Sequence, residues 1–204
     1  MLDAADNTGQ TNRFNLSGGV RSGMETALVT GAAGFIGSHL VEGLLDRGYR
    51  VRGLDDLSTG RRDNLDGVSD DDAFAFVEGD IRDEAAVERV TDGVDCVFHL
   101  AARTSVPASV ENPAETTAVN CTGTATVLAA AREHDARVVL ASSAAVYGSD
   151  VPVPTPEEAA LSPESPYALS KQYGEQLAGT AGVDATAVRF FNVFGPRQDA
   201  DGSY

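Results

Sequence analysis

Tyr167 and Lys171 stand four residues apart in SPYALSKQYGE, and Lys171 is the one lysine of the chain, the other fourteen basic residues being arginines. On a helix, a spacing of four sends both side chains off one face. A phenol with its ordinary pKa of about 10 is a poor base at neutral pH, but a neighbouring ammonium favours the phenolate and draws that value down. A compact ammonium can approach ribose hydroxyls and a phenol together, which the broad fork of an arginine does less well. Ser143, in the loop after RVVLAS, can offer its hydroxyl to the same substrate oxygen. The three side chains suit proton transfer at an alcohol or ketone. A Tyr-x-x-x-Lys match also describes many solvated helix faces, so its weight comes from what precedes it.

What precedes it is TGAAGFIGSHL, with Gly31, Gly34 and Gly37 in a G-x-x-G-x-x-G spacing between an apolar run and an amphipathic one. The first glycine permits a tight turn, the second lets backbone approach a pyrophosphate, and the third lets the helix pack close to the sheet. The helix N-terminus then faces the phosphates. Asp55 follows Gly37 by 18 residues (55 − 37) at the end of the next apolar run, where a carboxylate accepts hydrogen bonds from an adenosine ribose. That favours NAD, although Arg61 and Arg62 could meet the 2′-phosphate of NADP. Asp80, closing VEGD, has two readings: hydrogen bonding to an adenine amino group, or an N-cap for the helix DEAAVERV.

These residues need elements to position them. ETALVT (25–30), YRVRGLD (49–55), AFAFVEGD (73–80), VDCVFHLAA (94–102), RVVLASS (137–143) and ATAVRFFNVFG (185–195) read as six strands. Between them lie helical patterns: one through about Arg47 with Gly48 as its stop, DEAAVERVTDG, the long AETTAVNCTGTATVLAAAREHD, and PYALSKQYGEQLAGTAG. Strands alternating with helices of this length imply crossover connections, and so an α/β fold: a Rossmann-like doubly wound parallel sheet with helices on both faces. DGVSDDD (66–72) reads as an acidic exposed turn.

Composition sets outer limits. A net charge of −16 with scattered arginines disfavours nucleic acid as a partner. No apolar run approaches the roughly 18 to 20 residues of a membrane helix. Acidity combined with lysine scarcity points to a salt-loving source, where screening shortens charge repulsion to about 3 Å at molar salt. Cys96 and Cys121 fall in a strand and a helix and read as packed free thiols, consistent with a cytoplasmic, reducing compartment. Residues 1–23 are polar and rich in Gly and Asn, and read as a disordered tail, with Met24 a candidate start.

With these motifs in order, the chain resembles the extended short-chain dehydrogenase/reductase family, in its NAD-dependent nucleotide-sugar epimerase/dehydratase branch. The matching stretches are TGAAGFIGSHL, LDDLSTGRRDNL, VEGDIRD, VFHLAARTSVPASVENP, VNCTGT, ASSAAVYG, SPYALSKQYGE and RFFNVFGPRQ, within residues 24–198. The resemblance implies that Gly31, Gly34, Phe35, Ile36 and Gly37 carry the pyrophosphate, Asp55 the ribose, and Asp80 and Ile81 the adenine. It implies that Leu100, Ala101 and Thr104 line the cofactor, that Asn120 sits toward the nicotinamide, and that Phe191 borders it. Ser143, Tyr167 and Lys171 match the catalytic trio, with Tyr167 and Lys171 also touching cofactor. Asn192 joins Ser143 and Tyr167 as a substrate contact, meeting the phosphates of the sugar nucleotide.

One stretch discriminates within that branch. Dehydratases and decarboxylases carry acidic residues just before VYG, whereas this chain has Ala144 and Ala145, whose methyls cannot move protons. The resemblance then implies chemistry of the UDP-glucose 4-epimerase kind: Tyr167 removes the C4 hydroxyl proton while hydride leaves C4, the 4-keto sugar turns, and hydride returns to its other face. The expected organisation is a tail over 1–23, an NAD-binding domain over 24–192, and over 193–204 the start of a substrate-binding region whose bulk lies beyond Tyr204. A UDP-sugar substrate and a homodimer are the partners implied. A nucleotide-sugar reductase or dehydrogenase shares every motif, and a non-catalytic NAD-binding module is the reading from another class.

Overall fold

The computed structural model describes residues 25–198. Its centre is a six-stranded, all-parallel sheet of β1 (Thr26–Thr30), β2 (Arg50–Asp55), β3 (Phe74–Glu78), β4 (Cys96–His99), β5 (Arg137–Ser143) and β6 (Ala185–Phe190), in the order β3-β2-β1-β4-β5-β6. The chain builds outward from β1 to β3, then crosses back to lay β4 on the other side of β1, with Ala27 registered against both Val51 and Cys96. That reversal opens a crevice at the C-terminal ends of β1 and β4, where ligands of such sheets bind.

Burial on both faces follows from the strand sequences. In β1 every residue is buried. Ala27 and Val29 turn to one face, packing with Val41, Leu44 and Val51 beneath α1 (Phe35–Leu45), while Leu28 turns to the other. There it joins Leu54, Val97, Val138 and Leu140 under α2 (Glu84–Thr91), α5 (Thr124–Glu133) and α6 (Pro166–Ala178). Continuous apolar strands of this kind are what a sheet covered on both faces requires.

The helix ends explain the boundaries. α1 stops at Leu45, and Gly48 makes the turn into β2 at φ +80°, a conformation glycine adopts without steric cost. α2 is capped by Asp83, whose carboxylate accepts from the Ala85 and Ala86 amides. Asp83, not Asp80, is therefore the cap of that helix. The segment SVPASVENP contains a short helix, α3 (Val106–Glu111), that the sequence pattern did not reveal. The long helix expected over 114–135 is built from α4 (Pro113–Thr117), a π-helical stretch (Ala118–Gly123) and α5. A wider π turn fits a tight packing point: a Cβ at Gly123 would lie 2.4 Å from Ile81 Cδ1. Cys96 and Cys121 are free thiols, as expected. No helix among the described residues is long and apolar enough to cross a membrane. The expectations for 1–23 and for Met24 lie outside the described residues.

Candidate active site

The glycine-rich turn joins β1 to α1 at the crevice. Gly31 has φ +71°, and a Cβ on it would lie 2.8 Å from the Ala101 nitrogen on the neighbouring strand's exit. At Gly37 a Cβ would fall 1.9 Å from the Gly31 carbonyl oxygen. Both positions admit glycine alone because backbone occupies the space a side chain needs. α2, α3, α4 and α6 are each capped by a side-chain oxygen, of Asp83, Ser105, Asn112 and Ser165. The N-cap of α1 is Gly34, with no side-chain cap and no acidic residue in the first turn. Its leading amides, at Phe35, Ile36 and Gly37, are left for an anion. The cradle fits a dinucleotide pyrophosphate.

Asp55 ends β2 beside that turn. Its Oδ2 accepts from Ala33 N at 2.9 Å and its Oδ1 from Leu57 N at 2.8 Å, while a Cβ at Gly60 would lie 2.7 Å from Oδ1. Burial pushes its carboxyl above the usual value, against the pull of those amides. Asp80 lies past β3 and is gripped by Arg82, whose Nε reaches Oδ1 at 3.0 Å and Oδ2 at 2.9 Å, holding the carboxyl below its ordinary range. Ile81 is buried in the main core against Gly123. Leu100 and Ala101 leave β4 alongside Gly31, whereas Thr104 is exposed.

The second half of the site is carried by β5, α6 and β6. Ser143 closes β5, and Tyr167 and Lys171 sit on one face of α6, each 9% exposed. Lys171 Nζ donates to the Ala141 carbonyl at 2.8 Å and lies 5.8 Å from the Tyr167 ring centroid. The sequence led us to expect a phenol drawn down by the ammonium. In the structure burial pushes the Tyr167 phenol up, with the hydrogen bond from Ser143 acting the other way. The ammonium is itself destabilised by burial, to a pKa of about 8, so it keeps its proton at neutral pH. Ala144 and Ala145 open the turn after Ser143. Phe191 and Asn192, beyond β6, are both exposed.

Asn120, expected toward the nicotinamide, is buried with its amide engaged by protein, and it joins Glu175 and Arg189, which the motifs did not single out, in holding these parts together. Asn120, in the π-helical stretch, accepts from Arg103 N at 2.7 Å through Oδ1 and donates through Nδ2 to Arg103 O and Ser170 Oγ, both at 2.9 Å. It thus ties the loop after β4 to α6. Glu175, four residues beyond Lys171, accepts from Ser142 Oγ and from Arg189 Nε at 2.8 Å and NH2 at 2.7 Å. Arg189 NH1 also donates to Tyr147 OH at 2.8 Å and to the Glu157 carbonyl at 3.0 Å. This network joins the strand end bearing Ser143, the helix bearing Tyr167 and the strand leading to Asn192. The helical spacing of Glu175 from Lys171 was its one visible signal.

His99, at the end of β4, is fully buried between two hydroxyls. Thr30 Oγ1 lies 2.7 Å from Nδ1 and accepts from the Leu100 and Ala101 amides, each at 3.2 Å, so its own proton goes to Nδ1. The ring proton is then on Nε2, donating to Thr124 Oγ1 at 3.0 Å. Burial, with the nearby Lys171 charge, lowers the His99 pKa to about 3.

Such a parallel sheet, with an uncapped glycine-rich helix start and a Ser-Tyr-Lys group at the far side of the crevice, defines a dinucleotide-binding domain of the Rossmann type. The comparisons make this specific: the family model described as the NAD dependent epimerase/dehydratase family matches residues 27–203, and the chain belongs to that family. It is 42% identical over 182 residues to the UDP-glucose 4-epimerase of Mycolicibacterium smegmatis, covering 86% of this chain and 58% of that protein. Among solved structures it is similar to a UDP-N-acetylglucosamine 4-epimerase from Methanobrevibacter ruminantium, at TM-score 0.82 and 36% identity over 89% of this chain and 59% of that one. The NAD-bound dTDP-glucose 4,6-dehydratase of Streptomyces venezuelae is also similar, at TM-score 0.82 and 39% identity over 87% of this chain and 59% of that one. The chain therefore spans under two thirds of the length of these relatives.

Proposed function

We propose that this chain carries the cofactor-binding and catalytic portion of a nucleotide-sugar 4-epimerase of the UDP-glucose/UDP-galactose kind. The observation that carries the reading is the pairing of a Ser143-Tyr167-Lys171 site with methyl groups, those of Ala144 and Ala145, directly after Ser143. A dehydratase needs a carboxylate to move the proton lost from C5. Glu175, the carboxylate on α6 nearest in sequence to the trio, is held by Arg189 and Ser142.

In this reading Asp55 accepts from the adenosine ribose and the first-turn amides of α1 hold the pyrophosphate. Bound NAD supplies a reversible hydride acceptor for C4. Tyr167 takes the proton of the C4 hydroxyl and returns it after the sugar has turned. Ser143 fixes the same oxygen with its hydroxyl. Lys171, protonated at neutral pH and anchored on Ala141 O, favours the phenolate form of Tyr167 against the burial that opposes it. Asn192 meets the substrate's phosphates.

The test is interconversion of UDP-galactose and UDP-glucose by the protein and by Tyr167→Phe. Tyr167→Phe should lower turnover by at least about 100-fold, the scale of a lost general acid/base, while leaving NAD affinity within about threefold, the size of one modest contact. A variant that retains turnover sinks the role of Tyr167. Accumulation of reduced cofactor in place of the epimer would assign the chain to the dehydrogenase class.

A further inference from the structure

Arg61 and Arg62 follow Asp55 closely in sequence, and an NAD site gives them no task. Their loop is stitched to the glycine-rich turn: Arg61 N donates to the Ala33 carbonyl at 2.9 Å and Asn64 Nδ2 to the same oxygen at 2.8 Å. Ala33 in turn donates to Asp55, and Gly60 packs against the Asp55 carboxylate. Arg62 follows directly on a loop packed against Asp55, the carboxylate read as accepting the ribose, and a guanidinium on such a loop would suit a 2′-phosphate.

The guanidinium of Arg62 is instead laid on β3. Its NH2 donates to Glu78 Oε2 at 2.8 Å, and its Cζ stands 4.8 Å above the Phe76 ring. Phe76 and Glu78 alternate onto one side of β3, and Glu78 is the register partner of Asp55. Two carboxylates therefore end neighbouring strands, and the outer one holds the cation. Arg61 is engaged separately, NH2 to Asp63 Oδ2 at 3.2 Å.

We propose that Glu78 is a specificity-determining residue: by holding Arg62 on the edge strand it withholds the guanidinium from a 2′-phosphate and reinforces the preference for NAD that Asp55 sets. The proposal rests on the reading that Asp55 faces the adenosine ribose. The Arg62 and Glu78 side chains are 60% and 58% exposed, so replacing Glu78 leaves the core untouched. An exposed pair also opens readily, which sets the size of the effect.

The experiment is calorimetric titration of the full chain, Glu78→Ala and Arg62→Ala/Glu78→Ala with NAD and with NADP at low salt. Glu78→Ala should bind NADP about three- to fivefold more tightly, the equivalent of one exposed ion pair, with NAD unchanged within about twofold. Adding Arg62→Ala should abolish that gain. An unchanged NADP affinity in Glu78→Ala, with NAD binding intact, overturns the proposal alone. A gain that survives in the double variant overturns it too, since removal of a negative charge would then suffice without Arg62. If the unaltered chain binds neither dinucleotide, the Asp55 reading falls and the Glu78 role with it.

Discussion

The two halves of the crevice are built from different materials. At the β1-α1 turn the work is done by backbone: glycines at positions where a Cβ would strike Gly31 O or Ala101 N, and helix amides left without a cap. At the β5, α6 and β6 ends it is done by side chains, Ser143, Tyr167 and Lys171, held by a hydrogen-bonded network through Glu175 and Arg189. The first half is set by sterics within the backbone. The second depends on ion pairs and ends in exposed chain, with Phe191 and Phe194 at 63% and 86% exposure. Binding of cofactor and positioning of substrate should therefore fail independently.

The sharpest way to break the first half is Gly37→Ala. The new Cβ meets backbone at 1.9 Å, which cannot swing aside, so a loss of about 3 kcal/mol or more in unfolding free energy is expected, together with loss of NAD binding. Chemical denaturation and NAD titration would read the two effects. In the second half, Glu175→Ala leaves Arg189 without its carboxylate. A cost of about 2 kcal/mol is expected, less than for a fully buried pair because Arg189 is 25% exposed. In that variant NAD affinity should hold while turnover falls.

His99 stands between the halves and tests them by pH. Its folded-state pKa of about 3 lies below the ordinary 6.5, so the unfolded chain takes up a proton that the folded chain refuses. The stability is therefore complete above pH 6.5 and is lost as pH falls toward 3, by about 2 kcal/mol between pH 6.5 and 5. Denaturation midpoints across that range check it, and His99→Gln should flatten the slope. The smallest effect belongs to Tyr147→Phe, which removes one hydroxyl from the Arg189 network and should cost about 1 kcal/mol, visible as a small shift in thermal midpoint.

The legibility of the molecule divides along the same line. Gly31 and Gly37 could be read directly, because the need for glycine in such a strand-to-helix turn is local and carries a fixed spacing. The six strands were legible for a similar reason: a sheet covered on both faces demands short apolar runs. His99 and Arg189 were opaque as to role, and for Asn120 the resemblance implied a place toward the nicotinamide but not its tie between Arg103 and Ser170. Each acts through partners 14 to 69 residues away, and no local pattern records such pairings. The Tyr167 phenol shows the limit most clearly. Spacing placed an ammonium near it, but the burial that raises its pKa depends on the packing of the whole crevice.

The π-helical stretch at Ala118–Gly123 makes the phase between the halves depend on how one turn is wound. A π turn holds one residue beyond what an α-helix needs to close the same turn. That extra residue is taken up within the turn, so the helix on either side stays in phase; closing the stretch to a regular α-helix with every residue kept would rotate each position after it by about 100° relative to those before. Asn120 could then face Arg103, or α5 could keep Val127 and Leu128 on the sheet, but the two would no longer be in phase. Point substitutions outside Asn120 and Gly123 should be absorbed here as long as the π turn stays open, whereas one that closes it with the chain length kept would set the two ends of the crevice out of step.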